Sequence, residues 1–339
     1  MMLKFATHTT SVKSELTSSD GSTTKLLIAL HDGHMVESVI MRHESGRNTL
    51  CVSSQVGCAM GCTFCATGTM GIIGSLSTGE ILEQLVHAGR RAKIRNIVFM
   101  GMGEPLNNYD NVKEAVLGML DTKRWGLAHG HVTVSTVGVE KGIRKLTRDV
   151  PHVNLALSLH APNQELREKI VPAARSCKIE ALIAALDSHT GEGNDENSTA
   201  NNTKKKKKKA RRKAMIQYTM LNGPTSTLTC AHELGALCEG KNIVINLIPY
   251  NPTDVEDKYS CPSMEHIITF QKIVMSYGLF VFIRKTMGDD IAGACGQLVL
   301  EKTKKDNKKK EGEAAVVIKV ECADGNFELS RARGRKAMA

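Results

Sequence analysis

The chain has 339 residues, 41% of them hydrophobic, and a formal net charge of +10. That length allows one large domain or two small ones, and no run of about 18 apolar residues is present to cross a membrane. Ten cysteines in so long a chain do not make the dense disulfide framework of a small secreted scaffold, so a reducing compartment is expected, the cytoplasm or an organelle.

Residues 1–22 lack the continuous apolar core of a secretory signal. They are Ser/Thr-rich but hold no Arg, which gives a transit peptide little support. Residues 24–41 then read as a β-hairpin. Leu26-Leu-Ile-Ala-Leu30 is one strand, Asp32-Gly33 the turn, and 35–41 the return. Residues 49–53 form a strand leading into a loop that carries Cys58, Cys62 and Cys65. Beyond it, Ser77-Thr-Gly-Glu80 has the form of a capping box, and Ile81, Leu82, Leu85 and Val86 give the next helix an apolar face. A buried strand at 96–100 ends in Gly101-Met-Gly-Glu104-Pro105.

The same rhythm repeats to the end. Strands are expected at 132–135, 153–158, 215–220, 243–248 and 279–283, and helices at 108–120, 140–147, 164–170, 179–189, 226–239 and 263–276. This alternation is of the α/β class, a parallel sheet with helices outside. About six units predict a partial (β/α)6 barrel, preceded by a small N-terminal β-hairpin extension, rather than a closed eight-stranded one. The polar motifs Gly101–Glu104, Ser135-Thr136, Ser158–His160 and Pro249–Asn251 each end or follow a strand, where parallel barrels carry their chemistry. The expected division is an N-terminal segment at 1–48, a core at 49–300 and a charged tail at 301–339, with one more hairpin at 315–329.

The charge is unevenly spread. Residues 204–213 hold nine basic side chains and no acidic one, so +10 less 9 leaves a body of +1. They end a Gly-, Asn- and Thr-rich stretch, and 191–213 is read as a low-complexity basic insertion. A second run, 302–310, has six Lys against one Asp. Such blocks are solvated filler in one reading and sequence-blind tethers for phosphate backbones in the other.

The chemistry centres on Cys58, Cys62 and Cys65, spaced by three residues and then two. A zinc site would supply a second knuckle, and none follows. Three thiolates on one loop can instead hold three irons of a 4Fe–4S cubane and leave the fourth open. Gly57 and Gly61 let the chain fold tightly round the metal. The bland alternative, three inert core cysteines, fits a glycine-bearing loop poorly.

With Phe64 before the last Cys, this spacing resembles the radical S-adenosylmethionine (radical SAM) superfamily. The wider string CVSSQVGCAMGCTFCATG, from Cys51 to Gly68, resembles the RNA adenine methyltransferases of the RlmN/Cfr family, over residues 26–300. The resemblance implies that Cys58, Cys62 and Cys65 bind the cluster, with S-adenosylmethionine on its open iron. Gly103 and Glu104 would meet its amino group, and Ser135, Ser158, Leu159, His160 and Asn251 would line its pocket. Alone, a Gly-Met-Gly-Glu turn can simply cap a strand, and His160 can be a satisfied loop histidine.

An adenine ring carbon is electrophilic, so direct methyl transfer from a sulfonium fails there. The resemblance implies a detour. One S-adenosylmethionine methylates Cys295; a second is cleaved reductively to a radical that takes a hydrogen from that methyl. The carbon then joins the ring, Cys51 helps to release it, and a Cys51–Cys295 disulfide remains to be reduced. Glu37 matches the family's proton acceptor, although a hairpin carboxylate is more often a solvated surface group.

The implied target is carbon 2 of an adenine in large-subunit, 23S-type rRNA, with tRNA as a second substrate; carbon 8 is the alternative. The implied partners are the RNA and an electron donor such as flavodoxin or ferredoxin, with no membrane and a monomeric enzyme. Two other classes fit the residues less well. In an RNA-binding protein with a structural cluster, neither Cys51 nor Cys295 would be needed. A methylthiotransferase would need a second three-cysteine loop, and none is present.

Several features depart from the family. Only the residues before Thr24 precede the hairpin, where the family usually carries a helical RNA-binding domain; this bears on RNA affinity or on the completeness of the chain. Met287 stands where an Arg is common, and 171–175 lacks an expected Asn. Cys177, Cys230, Cys238, Cys261 and Cys322 match nothing and are read as structural.

Overall fold

The computed structural model describes residues 8–191, 214–253, 255 and 259–298. The basic runs at 204–213 and 302–310 and the hairpin expected at 315–329 lie outside the described residues. In chain order the elements are β1 (Ser11–Thr17), β2 (Thr23–Ala29), β3 (Met35–Arg42), β4 (Asn48–Cys51), β5 (Gln55–Cys58), β6 (Gly71–Ser75) and α1 (Thr78–Gly89). There follow β7 (Asn96–Phe99), α2 (Tyr109–Leu120), β8 (Val132–Thr136), α3 (Glu140–Asp149), β9 (Asn154–Ser158), α4 (Gln164–Ile170) and α5 (Ile179–Thr190). The last are β10 (Ala214–Met220), α6 (Leu228–Cys238), β11 (Ile243–Pro249), α7 (Met264–Met275) and β12 (Phe280–Ile283).

Ten strands form one sheet in the order β1-β2-β3-β4-β7-β8-β9-β10-β11-β12. The strands from β4 onward pair in parallel, and each of the six up to β11 is followed by helix before the next. This is the expected partial (β/α)6 barrel with one further parallel strand, β12. Two local elements were not anticipated. β1 pairs antiparallel with β2, so the N-terminal extension has three strands rather than two. Its polar sequence, SVKSELT, suits an exposed edge. β5 and β6 form a separate two-stranded ribbon that frames the cysteine loop.

Side-chain alternation explains how the strands divide their work. Ile97, Phe99, Val132, Val134, Leu155, Leu157, Ile216, Tyr218, Ile245 and Leu247 are buried. The intervening positions carry a different chemistry: Asn96, Thr133, Asn154, Gln217 and Asn246 face the concave interior. Register carries this alternation from strand to strand, pairing Val39 with Cys51, Cys51 with Val98 and Val98 with Thr133. The concave face therefore runs unbroken from the antiparallel extension through the barrel.

Helix α1 locks the extension to the core. The side chain of Gln84, fully buried, accepts from the Ser38 hydroxyl at 2.6 Å and the Ser53 N–H at 2.8 Å, and donates to the Ser53 carbonyl at 2.8 Å. The capping box is present: Ser77 Oγ accepts from the Glu80 N–H, and the Glu80 carboxylate accepts from the Ser77 N–H at 2.8 Å. Replacing Ser77 by Ala should lower the unfolding free energy by about 1 kcal/mol in urea titrations, because one N-terminal amide loses its acceptor. No change in the midpoint would show that the cap does not hold α1.

Candidate active site

Cys58 ends β5, and Cys62 and Cys65 sit on the loop that leaves it and enters β6 through a short helical turn, Ala66–Met70. The loop's path leaves no room for side chains at two glycines. A Cβ on Gly57, at φ +76, would stand 2.0 Å from the Gly71 oxygen, and one on Gly68 would stand 2.9 Å from the Cys62 oxygen. The Cys65 N–H donates to the Cys62 carbonyl at 3.1 Å, and the Thr63 N–H donates to Ile170 at 3.0 Å. Cys58, Cys62 and Cys65 thereby line one wall of a cavity of about 140 Å³.

Burial pushes all three thiols up, Cys58 to about 12, so iron must displace their protons on binding. The Arg167 guanidinium opposes that rise at Cys62. It is almost fully buried; its Nε donates to the Leu159 carbonyl at 3.1 Å and its Nη2 to that of Val137. Nη1 has no hydrogen-bond partner among the described residues. Also among the described residues, no three His, Cys, Asp or Glu side chains are placed to hold a metal ion as they stand. A cubane takes one thiolate per iron, so its ligands stand apart rather than converging on one ion. Three thiols lining one cavity, with a buried cation whose charge is felt at Cys62, fit such a cluster.

Opposite the cysteines, the Gly101–Glu104 turn is pressed against the end of β4. A Cβ on Gly101 would stand 2.7 Å from the Val52 oxygen, and one on Gly103, at φ +99, 2.8 Å from the Gln55 nitrogen. The Glu104 carboxylate lines the cavity while accepting from the Val137 N–H at 2.7 Å and the Leu106 N–H at 2.9 Å. Burial outweighs these bonds and raises its pKa to about 7. A ligand ammonium placed there would favour the ionised form. Ser135, Ser158, His160 and Asn251 line the same cavity.

His160 Nδ1 accepts from the Thr219 N–H at 3.2 Å, so the ring proton resides on Nε2. The Phe64 ring meets it edge-on at 4.8 Å. Leu159 is a correction to the expected lining: its side chain is fully buried away from the cavity, and its carbonyl serves Arg167.

Cys295 is brought to this cavity from far along the chain. The Ala66 N–H donates to the Gly296 carbonyl at 2.7 Å, Thr67 Oγ1 to the Leu298 carbonyl at 2.6 Å, and Asn251 Nδ2 to the Cys295 carbonyl at 3.2 Å. Gln297 ties the loop to itself, accepting from the Ala294 N–H at 3.1 Å and donating to Asp289 at 2.6 Å. A second cavity, about 900 Å³, lies on the concave face and is lined by Cys51 and Cys295 together. The two cavities share Met100, Gln217, Ile248, Pro249, Asn251 and Cys295. Arg42, Arg47, Arg284 and Lys285 line the larger one against Asp20 and Glu44. Cys51 and Cys295 are free thiols, and burial pushes Cys51 up to about 12.

Glu37 lines neither cavity. It is buried on β3, with Lys25 Nζ 3.0 Å away, so it is not a solvated surface group. It does share a strand face with Val39 and Met41, which line the larger cavity. Sequence reading missed Gln217, whose signal is one amide at a concave position of an otherwise apolar strand. It also missed Arg167, which local sequence presents as an ordinary amphipathic-helix cation. Among the cysteines read as structural, Cys230 and Cys238 are buried but Cys261 is exposed, and Cys322 lies outside the described residues.

The radical SAM superfamily pattern matches residues 52–192. The ribosomal RNA large subunit methyltransferase N of Nitrosopumilus maritimus is 39% identical over 292 residues, covering 83% of this chain and 78% of that protein. This chain belongs to the RlmN-type family of radical SAM RNA methyltransferases. A dual-specificity RNA methyltransferase RlmN from Pelobacter propionicus is 41% identical over 276 residues, 81% of this chain and 74% of its own. The crystal structure of a radical SAM methyltransferase from Sphaerobacter thermophilus matches with a TM-score of 0.78 at 37% identity, covering 86% of this chain and 81% of that one. Membership in the RlmN-type family makes this an enzyme whose cofactors are a 4Fe–4S cluster and S-adenosylmethionine.

Two outcomes follow from this geometry. Alanine at Cys58, Cys62 or Cys65 should remove the brown visible absorbance of the anaerobically reconstituted protein. A full complement of iron and sulfide in any one variant would overturn the ligand set. The second concerns His160, which burial and the nearby Arg167 charge push down to about 3. An unfolded His titrates at about 6.5, so below that pH the unfolded chain takes up a proton the fold excludes; stability falls by up to about 1.4 kcal/mol per pH unit down to the folded value. Asn tolerates the left-handed backbone at this position, φ +61, and offers Thr219 an acceptor. His160→Asn should therefore flatten the acid limb of stability in urea titrations, and an unchanged slope would show that His160 is not held neutral.

Proposed function

We propose that this enzyme methylates carbon 2 of an adenine in large-subunit rRNA, with tRNA as a second substrate, through a methyl-cysteine intermediate at Cys295. The observation that carries the reading is the position of Cys295 in the wall between the two cavities, with Cys51 lining the larger. The names of the relatives, ribosomal RNA large subunit methyltransferase and dual-specificity RNA methyltransferase, support RNA of more than one kind as substrate.

When bound, the cluster supplies the single electron that cleaves S-adenosylmethionine. The protein's own groups hold and receive the fragments. Glu104 pairs with the cofactor's ammonium, and Gly103, Ser135, Ser158, His160 and Asn251 shape its pocket. The Cys295 thiolate takes a methyl group, forming one S–C bond as the sulfonium S–C bond breaks. A hydrogen atom passes from that methyl to the carbon fragment of the second S-adenosylmethionine; the methyl carbon bonds to the ring, and the ring sheds its proton and one surplus electron, which returns to the bound cluster. Cys51 then attacks the Cys295 sulfur, the S–C bond breaks with its electron pair on the ring-bound carbon, that carbon takes a proton to become the methyl group, and a disulfide forms that a thiol reductant must reopen. Arg284 lowers the cost of a Cys51 thiolate. Glu37 takes the ring proton in this reading, supported by the strand face it shares with Val39, which pairs with Cys51.

The same reading includes a flavodoxin- or ferredoxin-type electron donor and a monomeric enzyme working in the cytoplasm or an organelle. It also gives the basic insertion at 191–213 a tethering role on RNA. No helix among the described residues is long and apolar enough to cross a membrane.

Two variants separate the roles of the thiols. Cys295→Ala removes the carrier, so labelled RNA should show neither methylation nor a covalent adduct. Cys51→Ala keeps the carrier and loses the release step, so a protein–RNA species should survive denaturing gels. An adduct in Cys295→Ala, or full turnover by Cys51→Ala, would overturn the mechanism. Mass spectrometry of the modified nucleoside decides between carbon 2 and carbon 8.

A further inference from the structure

Register extends the concave face onto the last strand, β12. Gln217 pairs with Asn246, and Asn246 pairs with Phe282. Gln217 and Asn246 both line the larger cavity, so the Phe282 side chain projects from the same face, directly beside it. Phe280 follows two residues earlier on that face, paired with Val244. Arg284, two residues later, lines the cavity itself. The two rings are 62% exposed at Phe280 and 57% at Phe282, the highest values among the large apolar side chains described. Their neighbours on the strand, Val281 and Ile283, turn the other way, and the Val281 carbonyl accepts from Gln271 of α7. The helix layer thus takes the Val281 side of β12, and Phe282 stands on the side of the cavity.

We propose that Phe282, with Phe280 beside it, is a base-stacking platform that receives unpaired nucleotides flanking the target adenine. This rests on the reading of the enzyme as an RNA methyltransferase and adds to it a surface for the single-stranded part of the substrate. Two features select RNA as the occupant. The face is continuous with the cavity that Cys51 and Cys295 line, and that cavity carries four cationic side chains, Arg42, Arg47, Arg284 and Lys285, against two carboxylates. Cations that track a backbone beside exposed aromatic rings are the elements by which single strands are bound without reading sequence. The chemistry asks for this as well, since a ring carbon is reached only on an unstacked base, whose unstacked neighbours need new partners.

The test is fluorescence anisotropy with the full reconstituted chain. Two labelled probes of about twelve nucleotides are used, oligoadenylate and an abasic ribose-phosphate oligomer of equal length. Phe282→Leu and the double variant Phe280→Leu/Phe282→Leu keep apolar bulk and remove the ring faces; thermal melts check their folding. Stacking predicts roughly a five- to tenfold weaker hold on oligoadenylate in the double variant, with the abasic probe and the salt slope unchanged. Phe282→Trp should restore binding in the single variant. Equal losses on both probes, or no loss on oligoadenylate, would overturn the platform while leaving the RNA reading intact. If the unaltered protein binds neither probe the platform fails, and if it also fails to hold a labelled rRNA fragment the RNA reading fails with it. A shift from dimer to monomer in the double variant by sedimentation would assign the rings to self-association instead.

Discussion

A strand covered by a helix on one side must keep that side apolar, and the alternation of side chains hands every second position to the other face. In this protein that constraint places the chemistry. Ile97, Phe99, Val134, Leu155, Leu157, Ile216, Tyr218 and Ile245 satisfy the buried face. The alternating positions are thereby released to carry Cys51, Asn96, Met100, Ser135, Ser158 and Gln217 into two adjoining cavities. A one-residue slip in any of these pairings would bury the polar set and expose the apolar one, so the register that stabilises the sheet also fixes the site.

The second constraint is the joining of two distant loops. The cysteine loop closes on glycines that admit no Cβ, and the loop bearing Cys295 is fastened to it by one main-chain bond from Ala66 and by the Thr67 hydroxyl. These contacts rather than any local preference hold Cys295 in the wall between the cavities. They also give a physical role to residues around Cys295 that touch no substrate in the proposed reaction, above all Gln297 and Asp289, which hold the loop's shape.

Electrostatics divides the site in the same way. Around the cysteine loop, burial raises the thiols and lowers His160, so these groups are uncharged in the resting pocket, while Glu104, raised to about 7, is poised between its two forms. The pocket is suited to a cluster and a zwitterionic cofactor that bring their own charge. The larger cavity keeps its cations closer to water, where a polyanion can reach them.

The sequence by itself determined a good deal. The α/β alternation, nearly every strand and helix, the capping box at Ser77 and the three-cysteine loop follow from periodicity, turn chemistry and spacing, which are local properties of the chain. The resemblance to the RlmN/Cfr family rested on one short string around that loop and on Cys295. The tertiary structure alone decided what long-range contacts control. It added β1 as a third extension strand and the β5–β6 ribbon, whose pairing no local pattern announces. It buried Glu37 against Lys25, turned Leu159 away from the pocket, and set Arg167 beside Cys62. It placed Phe280 and Phe282 on the concave side of β12, where the sequence shows only an apolar strand. Each of these depends on which strand lies alongside which, and side-chain parity across a sheet is fixed by register, not by the residues of one segment.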